Sequence, residues 1–424
     1  MVATNHYLSY EQTDCCPLCG SKHFTVGVER KEISQSIPMP SEQIHQQAVV
    51  KFTPALCEHC GLSFNVTGLS NLSRDYIYRN YQFILPSQGV GAGNYVTFIE
   101  EVKKHLKSHE DKVLDIGGLD GFLLRQLKEQ GYQNLTLIDP SAKTEGLDPS
   151  IQAITGFFPQ DEGVYQARMA GKDVELYDVI GTKDVVQMLP DLPGFFTGLN
   201  AVLKTGGIAV CTSVPLEVMH SLQCSHLGLN AYHYLAQNFG FELVESYKKP
   251  ENGYIVYVLK KVLDLHTASA KQIATFKTNA KQSPEAFKAE QDKQRTNLNS
   301  KGFFSPEMCQ KINAIMQHCA SLNQEIVIYG TGFYTFGILD ALECDYHKLK
   351  LNLVNSSADH EGYLYMLPDS STMEVHYANH YLKDRHIDLL VLGVLSPIFK
   401  AEILENLKSI NCTCKQILYL PDLQ

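Results

Sequence analysis

The stretch V-L-D-I-G-G-L-D-G-F-L-L, residues 113–124, constrains the fold of this chain more than any other. Its apolar start is typical of a strand buried on both faces, and an amphipathic helical pattern begins at Phe122. Between them, Gly117, Gly118 and Gly121 permit backbone angles that a Cβ would penalise, and they let a ligand approach the main chain closely. The stretch therefore predicts a strand–turn–helix unit with a ligand site at the start of the helix.

Acidic residues around this turn indicate the kind of ligand. Asp115 and Asp120 bracket the glycines, and Asp139 ends the next apolar strand in N-L-T-L-I-D-P-S, where a carboxylate suits a ribose diol. NAD usually requires G-x-G-x-x-G, and two carboxylates would repel its pyrophosphate. They would tolerate the ammonium and sulfonium of S-adenosylmethionine (SAM). We therefore expect a SAM site; the alternative is a glycine-rich turn without a ligand.

The α/β pattern continues beyond this unit. After the third strand, Phe157 and Phe158 could sandwich an adenine, although packing in the core explains them equally well. Further strands are predicted at residues 177–181 and 208–212, and two β-rich runs are joined by a hairpin turn at residues 250–253. A parallel sheet that ends in an antiparallel hairpin is typical of the SAM-methyltransferase fold and unusual for the NAD-binding fold.

Two C-x-x-C-G motifs near the start of the chain predict a zinc site. They supply Cys16 and Cys19, and then Cys57 and Cys60. Four thiolates would close the coordination shell, so the metal would be structural and would fold a segment too small to hold a core alone. A redox C-x-x-C is the alternative, which the second copy disfavours.

A second strand–turn–helix pattern begins near residue 325. Gly330 and Gly332 match the first two positions of the dinucleotide fingerprint, and Thr335 occupies the third. This turn could cradle the phosphates of a nucleotide or be purely architectural. We therefore predict an α/β protein with four parts: a zinc-binding segment (1–80), a SAM-methyltransferase domain (81–262), an exposed helical connector (263–310) and a smaller Rossmann-like domain (311–424).

Composition narrows the range of partners. The 424 residues carry a net charge of −10, which argues against a broad nucleic-acid interface. We see no apolar run long enough to span a bilayer and no signal-peptide core at the N-terminus, so we expect no membrane partner and a cytoplasmic location. Aromatic residues beside a glycine-rich loop at 87–94 suggest a lid or substrate wall, or packing between domains: Tyr76, Tyr78, Tyr81 and Phe83.

The order of these parts resembles the bacterial sugar C-methyltransferases of deoxysugar biosynthesis, over nearly the whole chain. The resemblance is carried by C-P-L-C-G, C-E-H-C-G-L-S-F, the glycine turn, L-I-D-P-S, G-F-F and the C-terminal Y-G-T-G. It implies transfer of the SAM methyl group to C3 of a nucleotide-linked 4-keto sugar. The keto group acidifies the neighbouring C–H, a base removes that proton, and the enolate attacks the methyl group.

The family's Glu-His pair is replaced here. Leu222 and Gln223 occupy its place, and His226 stands where the family has a tyrosine. The loop after the fourth strand, residues 185–188, also lacks the family's histidine. His226 and His220 are the candidate bases, with Tyr232 on the next helix. A methyltransferase for another small metabolite and a degenerate SAM-binding protein are the alternative functions.

Overall fold

The computed structural model describes residues 8–35, 37–80, 86–87, 91–214, 219–249, 254–279, 282–300, 304–343 and 345–423. Within these residues the chain forms three main sheets, which follow one another along the sequence. The mixed α/β fold class predicted from the sequence is confirmed. Tyr81, Phe83, residues 88–90 and the hairpin turn at 250–253 lie outside the described residues.

The N-terminal segment is an antiparallel sheet ordered β1-β5-β4-β2, with β3 pairing the far part of β4. A helix, α1, follows it. The bounds are β1 (Tyr10–Gln12), β2 (Phe24–Val26), β3 (Arg30–Ile33), β4 (Val49–Cys57), β5 (Ser63–Leu69) and α1 (Asn71–Asn80).

The central domain holds a sheet that is parallel except for one strand. Its elements are α2 (Gly91–Lys103), β6 (Lys112–Ile116), α3 (Phe122–Glu129), β7 (Asn134–Asp139), β8 (Gln152–Thr155), α4 (Gly163–Met169), β9 (Tyr177–Lys183), α5 (Leu192–Val202), β10 (Leu203–Ser213), β11 (Ser225–His226), α6 (Leu229–Phe239), β12 (Phe241–Lys248) and β13 (Ile255–Lys261). The strand order is β12-β13-β10-β9-β6-β7-β8, and β13 is antiparallel to both its neighbours. The predicted antiparallel ending of the sheet is confirmed.

The C-terminal domain is a second, smaller Rossmann-like unit. Its strands run in the order β16-β17-β15-β14-β18-β19, and all pairs are parallel except the edge pair β16–β17. The preceding helices and this domain comprise α7 (Ala270–Asn279), α8 (Pro284–Leu298), α9 (Pro306–Ser321), β14 (Glu325–Tyr329), α10 (Phe333–Asp340), β15 (Lys350–Asn355), β16 (Leu364–Met366), β17 (Thr372–Tyr377), α11 (Ala378–Tyr381), β18 (His386–Leu392), α12 (Pro397–Ser409) and β19 (Thr413–Tyr419).

Helix α8, in the predicted connector, is exposed over most of its surface but has one buried face. Gln291 and Gln294 are buried, and their side-chain amides donate to the carbonyls of Glu58 (3.1 Å) and Gly61 (3.0 Å) at the second cysteine motif. The contact is made through hydrogen bonds from glutamines. The helix therefore lacks the apolar periodicity by which a packed helix is usually recognised.

The N-terminal segment contacts both α/β domains. Strand β11 of the central domain pairs with β5, while Met39 and Leu364 of the C-terminal domain exchange two backbone hydrogen bonds of 2.8 Å. Ile33 lies in the apolar core of the C-terminal domain, whereas Cys57 lies in that of the central domain. The N-terminal segment thus contributes residues to the apolar cores of both α/β domains and pairs with strand β11 of the central domain. The domain boundaries stay predictions.

No helix among the described residues is long and apolar enough to cross a membrane.

Candidate active site

The glycine turn lies at the carboxyl ends of β6 and β7. The N–H of Gly117, at φ 78°, donates to the Ile138 carbonyl at 2.8 Å and so draws the turn towards β7. A Cβ at Gly118 would lie 2.1 Å from Asp115 Oδ2 and 2.8 Å from Leu137 Cδ1. The Asp115 carboxylate occupies the space that any larger residue at position 118 would need.

Asp115 is fully buried, and neither carboxyl oxygen has a hydrogen-bond partner among the described residues. Burial, followed by the nearby charges of Asp139 and Asp120, raises the pKa of its carboxyl to about 8. A buried polar group left unpaired destabilises the fold, so such a carboxyl marks a place where a ligand completes the hydrogen bonding. An ammonium group would do so and would favour the ionised carboxylate.

The other two predicted carboxylates are anchored. Asp139 accepts the N–H of Leu119 at 3.0 Å and of Ser141 at 2.6 Å, which fixes its side chain where β7 ends. Asp120 is paired with Arg125 at 2.8 Å, which neutralises its charge. Asp115 and Asp139 therefore stay the candidates for ligand contacts, and Asp120 stabilises the first turn of α3.

The two phenylalanines predicted to sandwich an adenine have different surroundings. Phe158 is buried and makes an edge-to-face contact with Phe195, with ring centroids 5.3 Å apart. Phe157 is 48% exposed, next to Gly156, whose N–H donates to the Asp139 carbonyl at 3.2 Å. The structure brings Phe157 to the edge of the crevice beside Asp139 and places Phe158 in the core.

Sequence reasoning missed a charged and aromatic group beyond the fourth strand. Lys183 and Asp184 at the end of β9 form an ion pair, and Lys183 Nζ lies 4.3 Å from the centre of the Tyr254 ring. Burial, and then the charges of Asp115, Asp184, Asp120 and Asp139, raise the pKa of the Tyr95 hydroxyl well above its usual value. The T-K-D sequence that ends β9 was the available signal.

The four predicted zinc ligands come together. Sγ of Cys16 and Cys60 are 3.6 Å apart, Sγ of Cys19 and Cys57 are 3.5 Å apart, and all four sulfurs lie within 4.8 Å of one another. Zinc–sulfur bonds of about 2.3 Å place the sulfurs of a tetrahedron roughly 3.8 Å apart, so the cluster fits zinc. Such a site is closed, which leaves no position for chemistry.

The two candidate histidines are six residues apart in the chain and differ in the contacts that their rings make. His226 is fully buried in β11, opposite Ser63, and its Nε2 is 2.7 Å from the Val214 carbonyl. His220 stacks on Phe333 of the C-terminal domain, with ring centroids 4.8 Å apart, and its side chain is 11% exposed. His220 is therefore the histidine that reaches the junction between domains.

Tyr232 is the third residue of the predicted acid–base group. It is fully buried and stacked on Tyr257 at a centroid distance of 3.6 Å, in the core between α6 and the sheet. Leu222 is buried against apolar residues of the N-terminal segment. The role of Tyr232 in the site stays a prediction.

Comparisons with known proteins identify the class of the central domain. Residues 77–246 match the family model described as a methyltransferase domain. No curated protein sequence matches the chain significantly.

Two similar solved structures each cover only part of the chain. One is a putative S-adenosylmethionine dependent methyltransferase from Listeria monocytogenes (14% identity, 39% of this chain and 99% of that chain, TM-score 0.33). The other is a SAM-dependent methyltransferase from Mesorhizobium loti (11% identity, 41% and 100%, TM-score 0.31). At these TM-scores the likenesses carry no argument of their own. With the family match as the evidence, residues 77–246 are a methyltransferase domain, and the chain is a SAM-dependent methyltransferase.

Proposed function

We propose that the chain methylates the carbon next to the keto group of a nucleotide-linked 4-keto deoxysugar. The SAM ammonium would pair with Asp115 and the ribose would bind Asp139, with Phe157 covering one face of the adenine. When bound there, SAM supplies a methyl group activated by the sulfonium. The chain's own residues must then bind the acceptor and take up a proton.

The observation that carries the proposal is a group of buried polar side chains without partners among the described residues. Both amide atoms of Gln187 are unpaired, as are Gln223 Nε2 and Ser225 Oγ. The two loops that carry them are joined, because the Cys224 N–H donates to the Gln187 carbonyl at 2.9 Å. Buried groups of this kind suit a polar acceptor with several hydroxyl and carbonyl oxygens, such as a sugar.

The positions of these loops support an acceptor site beside the methyl donor. Gln187 follows β9, and ligands of open α/β sheets bind outside the carboxyl ends of the strands. Tyr78 of α1 reaches the same place, since its hydroxyl lies 2.8 Å from Met188 Sδ and 3.3 Å from the Leu222 carbonyl. We propose that Tyr78 forms part of the acceptor wall, which sharpens the role suggested by the aromatic residues before the glycine-rich loop.

The C-terminal turn would hold the nucleotide part of the acceptor. It contains no carboxylate in Y-G-T-G-F, so it does not repel phosphate as the first turn would. Phe333 directly follows this turn and stacks on His220. A nucleotide bound at the turn would therefore leave its sugar near the histidine.

His220 is the base that the geometry favours over His226. The Nε2 of His226 already faces a backbone carbonyl in a paired strand, whereas the His220 side chain, 11% exposed, packs against Phe333 at the junction between domains. A neutral imidazole near the acceptor could remove the proton that the keto group acidifies.

The experiment is a methyl-transfer assay by mass spectrometry, with SAM and a panel of nucleotide-linked 4-keto deoxysugars. One added methyl group on a sugar carbon supports the proposal, and His220→Asn should abolish it while SAM binding persists. No transfer to any member of the panel, with SAM still bound, contradicts it.

A second candidate is a methyltransferase for another small metabolite with a more acidic nucleophile. It is favoured by Leu222 and Gln223, because neither side chain can act as a base where the resemblance implies a Glu-His pair. Transfer to a phenol or thiol in the same assay would select it. A SAM-binding protein without activity would transfer to none.

A further inference from the structure

We propose that Glu32, on strand β3 of the N-terminal segment, is a positioning residue for His220, so that the base of this enzyme is assembled from two distant segments. This inference rests on the proposed role of His220. Neither the sequence pattern nor the methyltransferase family match points to Glu32, which lies outside residues 77–246.

The contact itself is defined by distance and burial. Glu32 is 1% exposed, and its Oε1 lies 3.9 Å from His220 Nδ1. That is too long for a direct hydrogen bond, but catalytic hydrogen bonds are often long before substrate binds. Glu32 Oε2 and His220 Nδ1 are both buried without a hydrogen-bond partner among the described residues.

The backbone and hydroxyl of Ser221 fix the carboxyl next to the histidine. The Ser221 N–H and O–H both donate to Glu32 Oε1, each at 2.5 Å. Because Ser221 directly follows His220, the carboxyl is tied to the same loop as the imidazole. Phe333 covers one face of that ring from the C-terminal domain, so three parts of the chain fix the pair.

At neutral pH, the surroundings of Glu32 and His220 favour a protonated carboxyl beside a neutral imidazole. Burial raises the pKa of Glu32 to about 8, against lowering by Ser221 and the Arg30 charge. Burial, and then the charge of His226, lower the pKa of His220 to about 3. Tyr365 of the C-terminal domain also faces Glu32. Glu32 is therefore protonated and His220 neutral before reaction.

This arrangement explains how a histidine with a low proton affinity could serve as a base. A neutral His220 that donates its Nδ1–H to Glu32 Oε1 is fixed in the tautomer that leaves the Nε2 lone pair for the acceptor C–H. As Nε2 takes that proton, the ring becomes an imidazolium whose Nδ1–H stays on the Glu32 carboxyl, and ionisation of that carboxyl stabilises the imidazolium. The C–H electrons form the enolate, which displaces the thioether as the new C–C bond forms. The extra proton is later released to water.

The test follows the imidazole directly, so it needs no acceptor. The full-length protein would be labelled at histidine ¹³Cε1, and His220→Asn would assign the resonance. We expect the His220 resonance to show a step near pH 8 that reports Glu32 ionisation. Glu32→Gln should abolish the step. Ser221→Ala should move its midpoint upwards, because the hydroxyl that stabilises the carboxylate is lost.

Glu29→Gln is the matched control, since Glu29 is exposed, lies three residues away and pairs with Lys51. It should leave the step unchanged. Thermal unfolding and SAM binding should be unaffected in Ser221→Ala. The shift of the pH step in this variant therefore tests the pair even if Glu32→Gln misfolds. A flat His220 resonance, or a step that survives in folded Glu32→Gln, overturns the inference.

Once an acceptor that the enzyme methylates is found, steady-state kinetics provide a second test. Glu32→Gln should lower kcat about tenfold or more and flatten the pH–rate profile near pH 8, while KM for SAM stays unchanged. If the His220 resonance shows the step near pH 8 but no acceptor is methylated, then Glu32 and His220 form the proposed pair and the proposed acceptor is wrong. The two failures are therefore distinguishable.

Discussion

The two α/β domains contain the same backbone turn with different chemistry around it. Gly117 donates its N–H to Ile138 at 2.8 Å, and Gly330 donates its own to Val354 at 2.8 Å. The next residue on the neighbouring strand is Asp139 in the first domain and Asn355 in the second. A position that carries a charge in one domain carries a neutral amide in the other.

The polar groups at the second turn satisfy one another. Asn355 donates to Thr331 Oγ1 at 2.6 Å and accepts the Ser357 N–H at 2.8 Å, and the Tyr365 hydroxyl donates to the Gly332 carbonyl at 2.9 Å. At the first turn, Asp115 stays unpaired among the described residues. The comparison teaches that the glycine turn supplies only geometry, and that the two turns differ in whether the polar groups beside them are satisfied by the protein itself.

The largest effect should come from removing zinc, which should lower the unfolding temperature of the central domain more than that of the C-terminal domain. The cysteine cluster belongs to the apolar core of the central domain, while the C-terminal domain has a core of its own. A strong chelator should lower the first calorimetric transition by roughly 10 °C, from about 4 kcal/mol of lost binding, and shift the second far less. Cys16→Ser should mimic the chelator, while Cys15→Ser should not. Equal shifts in both transitions would contradict this.

A matched pair of glycine substitutions tests the turns themselves. Gly118→Ala should weaken SAM binding by about 100-fold or more, because the new Cβ displaces the Asp115 carboxylate that meets the ligand cation. Gly332→Ala should leave SAM affinity unchanged, since nothing lies within 4 Å of the added Cβ. Calorimetric titration measures both. A similar loss in the two variants would remove the distinction between the turns.

The corresponding strand-end residues should also differ. Asp139→Ala should weaken SAM binding about tenfold to 100-fold through loss of a charged hydrogen-bond acceptor for the ribose. Asn355→Ala should not change SAM binding. Unfolding curves check that both variants are folded, and unchanged SAM affinity in Asp139→Ala would remove our placement of the ribose.

The smallest effect is on the stability of the ligand-free protein. Because the pKa of Asp115 is raised to about 8 in the folded state, its contribution to stability is present at low pH and is lost as pH rises towards 8. Asp115→Asn should therefore raise Tm by a few degrees at pH 8 and much less at pH 5. Replacement of the exposed Asp173 by Asn serves as the control. A gain that does not depend on pH would argue against the raised pKa.

Much of the fold was predictable because it rests on local signals. The apolar run before Gly117, the cysteine spacing and the two β-rich runs around residues 250–253 each depend on a short stretch of chain, and the described residues agree with them. Helix α8 is largely exposed, but the burial of one face could not be read from the sequence, because that face includes glutamines that hydrogen-bond to the second cysteine motif. Polar packing of this kind leaves no periodic pattern in a sequence.

The sequence by itself determined the residues of the proposed SAM half of the site, because its charges and glycines occur within one strand–turn–helix unit and the strand that follows. Only the tertiary structure brought together the residues of the proposed acceptor half. It brought Glu32 from the N-terminal segment, His220 from the central domain and Phe333 from the C-terminal domain to one junction. Contacts between residues that distant depend on how the three sheets pack together, and no local spacing or composition records that packing.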